Sequence, residues 1–362
     1  MAPCSVGYAK ANMIRPGFLE TLEAGEKGRV LSSGEMDLLL SANPEEREPL
    51  FQVADRVRRR FVGEEIHLRG IVEFSNICVQ NCLYCGLRKD NRDLRRYRMT
   101  LGEVRESAKA IQGMGIKTLV LQSGEDPWYT RDRLSELIRR IKEETGLTLT
   151  LSVGERPRGD YQAWKDAGAD RYLLKQETSA EQLFAYLRPG RTLTERLESL
   201  RFLRELGYEV GSGNMVGLPG QSHNDLVRDI QLFREFDFDM IGIGPFIPHP
   251  QTPLGNSATP DLNLTLKVLA LTRIVTRDAN MPATTASAVL EPEGRKRALM
   301  AGANVIMPNL TPWKYRGYYQ VYPGKEKPEG GLDSTLRTIS SLGRTLSQGP
   351  GYRRSLPRER GS

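Results

Sequence analysis

Histidine and cysteine are both scarce in this sequence, at three and four of 362 residues. The three histidines (His67, His223, His249) stand apart, so they cannot supply the paired Cys/His sets of a structural zinc module. Four cysteines are too few for a disulfide-stapled scaffold, and a chain of this length can bury a core without staples. No apolar run approaches the roughly 18 residues of a membrane span. The N-terminal residues lack a continuous apolar stretch, so no secretory signal is expected and the cytoplasm is the expected location. A dominant charge is missing too. The 52 basic and 45 acidic side chains give a net +7. Residues 1–60 are neutral, residues 321–362 carry +4, and the 260 residues between carry only +3. One basic cluster stands out: Arg88, Lys89, Arg92, Arg95, Arg96 and Arg98. A nucleic-acid groove needs a continuous basic face with aromatics interleaved, so nucleic acid is not expected as a partner. An anionic small ligand or cluster suits this short loop better. With 39% hydrophobic residues and 56 glycines and prolines together, the rest is an ordinary globular composition.

Three of the four cysteines are bunched. Cys78, Cys82 and Cys85 form C-x3-C-x2-C within NICVQNCLYCGLR, while Cys4 sits alone. A folded loop can bring three such thiolates to one metal centre. Structural zinc wants four protein ligands, commonly as two separated pairs, and no second pair exists here. A disulfide reading leaves an odd thiol. Three cysteines without a fourth suit a 4Fe-4S cluster with one iron left open to a non-protein ligand. With Tyr84 just before the last cysteine, the motif resembles the signature of radical S-adenosylmethionine (SAM) enzymes. That resemblance implies that SAM chelates the open iron and that an electron from the cluster cleaves it to a 5′-deoxyadenosyl radical.

The rest of the chain predicts a scaffold independently. After a helix-like stretch at about 15–60, β-branched or apolar runs recur at 67–76, 118–123, 147–153, 171–177, 209–217, 240–248, 282–289 and 303–309. Helical periodicity fills the gaps, at 100–114, 130–145, 157–167, 192–206, 222–236, 262–279 and 292–301. Thr100 and Glu103 form a capping-box pattern. MGIKTLV, LGYEVG and AGANVIM each join a helix-ending glycine to a strand. Eight strands alternating with helices predict an α/β fold, a (β/α)8 TIM-type barrel. A doubly wound open sheet would look similar locally, but no Gly-rich dinucleotide fingerprint follows the first strand. The expected organisation is an N-terminal helical extension over 1–62, the barrel over 63–325 and a C-terminal tail over 326–362.

In such barrels the working residues lie where strands end and βα loops begin. The cysteine triplet follows the first strand, on that face. The second strand ends in Ser123-Gly124-Glu125. Alone this is an ordinary turn with a capping acid; beside SAM it resembles the Gly-Gly-Glu element of radical SAM enzymes, with acceptors for the ammonium. Lys175 and Glu177 end the fourth strand, where a carboxylate can take hydrogen bonds from ribose hydroxyls or an amino group. Arg196 can reach the SAM carboxylate with a fork of donors, although by spacing alone its helix reads more readily as a solvated face; Lys175 is similarly ambiguous. The small residues from Gly211 to Gly220 admit a ligand closely, and Met215 can pack on an adenine. His249, between prolines, is either an acid, base or ligand or a loop anchor. Thr284 and Thr285, neighbours on the seventh strand, point to opposite faces, leaving at most one hydroxyl inside to bind an anion. The aromatics from Trp313 to Tyr322 read as closure over the barrel mouth.

EFSNICVQNCLYCGLRKDNRDLRRYRMT, LQSGEDPWY, AGADRYLLKQET, NMVGLPGQ, GIGPFIPHPQTPL, PATTA and GANVIMPNLTPWKYRGYYQVYPGK together resemble the HydE family, radical SAM maturases of FeFe-hydrogenase in the biotin synthase-like branch. The resemblance runs through about residues 64–325 in motif order. It implies a full barrel with a long internal cavity, one 4Fe-4S cluster on Cys78, Cys82 and Cys85, and SAM beside Tyr84, Ser123, Glu177 and Arg196. It also implies a substrate near Thr284, Thr285, Tyr319 and Tyr322. Some family members carry a second cysteine group near the C-terminus for an auxiliary cluster; here no cysteine follows Cys85. The implied role is assembly of the diiron subsite of the hydrogenase H-cluster. Its implied substrate is organometallic, a cysteine-bound iron carbonyl cyanide species delivered by another maturase, and an electron donor is needed. Two alternatives stand: a methylornithine synthase-like mutase acting on an amino acid, and a non-catalytic metal-binding scaffold. Biotin synthase fits less well, since its second cluster needs further cysteines.

Overall fold

The computed structural model describes residues 14–325 and 331–353, so Cys4 and the chain beyond 353 lie outside the described residues. Three helices come first, Phe18–Lys27, Ser33–Leu40 and Pro44–Phe61. Ser32 and Asn43 close capping boxes, and Pro44 takes the first helical position, where its missing N–H costs nothing. Their apolar faces (Phe18, Leu39, Leu50) belong to the same buried cluster as Leu266 and Leu269 of helix Leu262–Thr276. The extension therefore shares the barrel's core.

Six parallel strands follow in sequential order: Gly70–Ser75, Thr118–Ser123, Thr148–Ser152, Arg171–Leu173, Glu209–Ser212 and Met240–Ile241. They are mostly buried on both faces, which explains their continuous apolar runs. Parallel bridges close the ring: Met240 to Asn280, Pro282 to Val305 and Asn309 to Ile71. Residues around 280–283 thus act as the seventh stave and Val305–Ile306 as the eighth. Closure excludes the open sheet and makes this a (β/α)8 barrel.

Several expected strands end early, two of them with consequences at the mouth. The 240–248 run splits: Gly244–Pro245 leaves the barrel sheet and pairs with Met215–Val216 at the mouth. The cause is close backbone approach, because a Cβ on Gly213 would lie 2.0 Å from the carbonyl oxygen of Gly242. The 282–289 run becomes a helix, Thr285–Leu290, with Thr284 at its cap position. One stave needs only a few residues to bridge its neighbours, after which the alanine-rich sequence turns helical. The alternation argument for the two threonines therefore does not apply.

Part of the C-terminal tail is folded. Helix Gly331–Ser341 leads to Thr345–Leu346, which pairs with Glu65–Leu68. The Pro350 carbonyl then accepts from Thr118 Oγ1 at 2.9 Å, and the Gly351 carbonyl from Arg69 at 3.1 Å. Both partners lie at the starts of strands, so this segment seals the end of the barrel opposite the cysteines.

Candidate active site

The loop after the first strand carries the three thiols, and its shape is set by buried polar contacts. Asn76 Nδ2 donates to the carbonyls of Arg95 (2.8 Å) and Tyr318 (2.7 Å), and its Oδ1 accepts from Tyr97 N. Arg96 donates to the carbonyls of Asn76, Leu87, Arg88 and Asn91. Arg98 pairs with Asp126 at 2.7 Å. Two arginines of the basic cluster are thus occupied in holding the loop itself, rather than being offered to a ligand. Gly124 backs the loop at close quarters: a Cβ there would lie 2.3 Å from the Ile77 oxygen and 2.8 Å from Cys78 Cβ. Gly124→Ala is therefore expected to displace Cys78 and to lower the iron retained after reconstitution, as measured by iron content per chain.

Cys78, Cys82 and Cys85 are free thiols lining one cavity of about 370 Å³ that reaches down to Ile71, Val120 and Met240 inside the barrel. Burial pushes Cys78 up to about 11 and raises Cys82 and Cys85 too. Bare, they would hold their protons; a bound cationic centre deprotonates such thiols. Arg188 opposes the rise at Cys82. Beside the three thiols, the described residues that line the cavity include no fourth cysteine and no histidine, whereas a structural zinc site commonly takes four such ligands. Three thiols facing a roomy cavity fit a cluster with an open position.

Tyr84, Ser123, Gly124, Glu125, Lys175, Glu177 and Met215 line this cavity with the cysteines, as do Thr284, Thr285, Tyr319 and Tyr322. Glu177 stands out because its φ is +68°, a left-handed conformation that a glutamate rarely adopts. Its N–H donates to the Gly213 carbonyl at 3.0 Å, and its own carbonyl accepts from Met215 N at 2.8 Å. Lys175 Nζ lies 3.7 Å from its carboxylate.

Arg196 is placed differently from both readings of its sequence. It is neither on a solvated face nor in the cavity wall: at 2% exposure, it donates to Glu155 and to the Lys175 carbonyl from behind the wall. Burial works against the charge of Glu155, but Arg196 and Arg188 outweigh it and hold that carboxyl below its usual range. Arg188, Glu155 and Gln80 escaped the sequence reading. Arg188 lines the cavity, 3.5 Å from Glu125 and 3.6 Å from Glu155, while Gln80 donates to Glu125. Arg188 follows an unanticipated helix, Glu181–Leu187, and nothing in the local sequence marks it. His249 is buried under the cysteine loop. Its Nδ1 accepts from Gln251 N at 3.1 Å, and its ring packs so closely on Gly86 that a Cβ there would lie 2.6 Å away. Of the closing aromatics, Tyr315 stacks on Tyr97 at 4.8 Å, and Trp313 is 70% exposed.

A closed barrel with three loop thiols opening into its mouth is the architecture of a radical SAM enzyme, and the sequence profile of the Radical SAM superfamily matches residues 72–233. Within that class the chain belongs to the HydE family. It is 53% identical over 313 residues to the [FeFe] hydrogenase maturase subunit HydE of Thermotoga maritima, spanning 85% of this chain and 90% of that protein. It is also 30% identical to a 3-methylornithine synthase of Methanosarcina acetivorans, over 91% of this chain and 96% of that one. The crystal structure of methylornithine synthase superposes with a TM-score of 0.83 at 27% identity, covering 90% of this chain and 97% of that chain. No helix among the described residues is long and apolar enough to cross a membrane.

Proposed function

We propose that this chain is a FeFe-hydrogenase maturase that cleaves SAM reductively and uses the resulting radical on a precursor of the H-cluster diiron subsite. The observation that carries the reading is the sharing of one cavity by the three free thiols and by Glu125, Lys175, Glu177 and Met215. Cys78, Cys82 and Cys85 would hold a single 4Fe-4S cluster, which when bound supplies the electron that breaks a carbon–sulfur bond of SAM. Glu125, with carbonyls of its turn, offers acceptors for an ammonium. Glu177 offers acceptors for hydroxyls, Met215 an apolar wall, and Arg188 a cation beside Glu125. Arg196 acts through Glu155 and Lys175.

In the same cavity, Thr284, Thr285, Tyr319 and Tyr322 form the substrate wall, best matched to an anionic organometallic species such as a cysteine-bound iron carbonyl cyanide. Lys325 pairs with buried Glu73 under the Tyr319 ring, its Nζ 4.4 Å from the ring centre. This contact fastens the aromatic segment over the cavity and helps exclude water. The barrel over 63–325 carries the chemistry, with 1–62 as its extension. A one-electron donor and other maturases are the expected partners.

The test is anaerobic reconstitution with iron and sulfide, then reduction in the presence of SAM. About four irons per chain, with 5′-deoxyadenosine formed, are expected. Zinc in place of iron, or a cluster without SAM cleavage, would leave only a scaffold. Consumption of a cysteine-bound iron carbonyl cyanide rather than lysine would then separate the maturase from a mutase.

A further inference from the structure

Helix His223–Glu235 lies outside the barrel, and its inward face is apolar at Leu226, Val227, Ile230 and Phe233. Asp229 sits on that same face with no solvent exposure. A carboxylate buried on such an apolar face is costly unless hydrogen bonds or a counter-charge satisfy it. Among the described residues it makes no ion pair with a lysine or arginine; its partners are neutral donors. Oδ1 accepts from Ser179 N at 2.6 Å, and Oδ2 accepts from Asn214 Nδ2 at 2.7 Å. These partners lie at two different strand ends, two residues beyond Glu177 and immediately before Met215.

We propose that Asp229 is a positioning residue for the cofactor subsite, clamping the ends of the fourth and fifth strands together so that Glu177 is held in its left-handed conformation with its carboxylate in the cavity. The inference rests on the reading of Glu177 as a cofactor contact. Three features support it. Glu177 and Asn214 form a parallel bridge, so a pull on Asn214 is transmitted directly to Glu177. A left-handed glutamate persists only where its surroundings over-determine it, and the Ser179 and Asn214 bonds lie on either side of that bridge. Burial pushes Asp229 up to about 6, against the opposing hydrogen bonds from Asn214 and Ser179, as expected of an acid retained for its acceptors rather than for a counter-ion.

The test is a double-mutant cycle on cluster-loaded protein, reading SAM affinity by equilibrium dialysis alongside iron content and thermal unfolding. Asp229→Ala is expected to weaken SAM binding tenfold or more with iron content unchanged. In a Glu177→Ala background the same change should cost less than twofold, because the group it positions is gone. Asp229→Asn should bind SAM nearly as well as the parent. Asn214 Oδ1 is buried without a hydrogen-bond partner, so turning that amide over lets it accept from the new amide while Ser179 N keeps its acceptor. Equal losses from Asp229→Ala with and without Glu177 would overturn the proposal and leave Asp229 a stability residue. If Glu177→Ala itself left SAM affinity unchanged, the cofactor reading of Glu177 would fail instead. Should Asp229→Ala not fold, Asn214→Ala removes one of the two donors and is read in the same cycle, with the same non-additivity expected.

Discussion

Replacing Cys82 with alanine is expected to abolish SAM cleavage, with 5′-deoxyadenosine falling to background and iron per chain falling with it. The reason is ligand count. The sequence has four cysteines, and Cys4 precedes the motif by 74 positions, so no spare thiol lies in the loop. Cys82 is also the buried member of the three, 8% exposed and with Arg188 opposing the rise in its pKa. Its loss removes both a ligand and the site where that cation favours thiolate. Folding should survive, because the loop is held by Asn76, Arg96 and Arg98 independently of the sulfurs. Cys4→Ala is the control and should leave both readouts intact. A Cys82→Ala protein that retained its iron and formed deoxyadenosine would remove this loop from the chemistry.

Replacing Arg196 with alanine is expected to destabilise the fold by about 3–5 kcal/mol, the cost of leaving one partner of a buried ion pair without the other. Glu155 would keep only the more distant Arg188 at 3.6 Å and Arg191 at 3.9 Å, and the Lys175 carbonyl would lose its donor. The denaturation midpoint should therefore fall with an unchanged slope. SAM affinity should fall as well, since Lys175 and Arg188 both border the cavity, while iron content should hold. Arg196→Lys should recover little, because an ammonium cannot reproduce a guanidinium fork between a carboxylate and a carbonyl. Weakened SAM binding with no loss of stability would instead make Arg196 a direct contact.

The two arginines show where local reading stops. Arg196 carries fork-shaped donors that suit carboxylates, yet the carboxylate it meets is Glu155, 41 positions away. Arg188, which does border the cavity, sits after a short helix with nothing around it in sequence to mark it. Thr284 and Thr285 were both legible as mouth residues, but their geometry was not, because strand alternation gives way to a helix at Thr285. The C-terminal tail has weak local signals, and its described part nevertheless closes the barrel through backbone carbonyls. A carbonyl has no sequence signature.

The sequence by itself determined the class of chemistry and the order of the staves. Cysteine spacing is a short-range property of one loop, and strand–helix alternation repeats within windows of a few residues, so both survive in one dimension. Tertiary structure alone decided which side chains share the cavity, which arginines are spent on holding loops, and that Glu177 is bent into a left-handed turn braced by Asp229 from a helix outside the barrel. Those outcomes depend on contacts between distant positions, where burial fixes the partner of each charge and no residue can signal from its own neighbourhood which partner that will be.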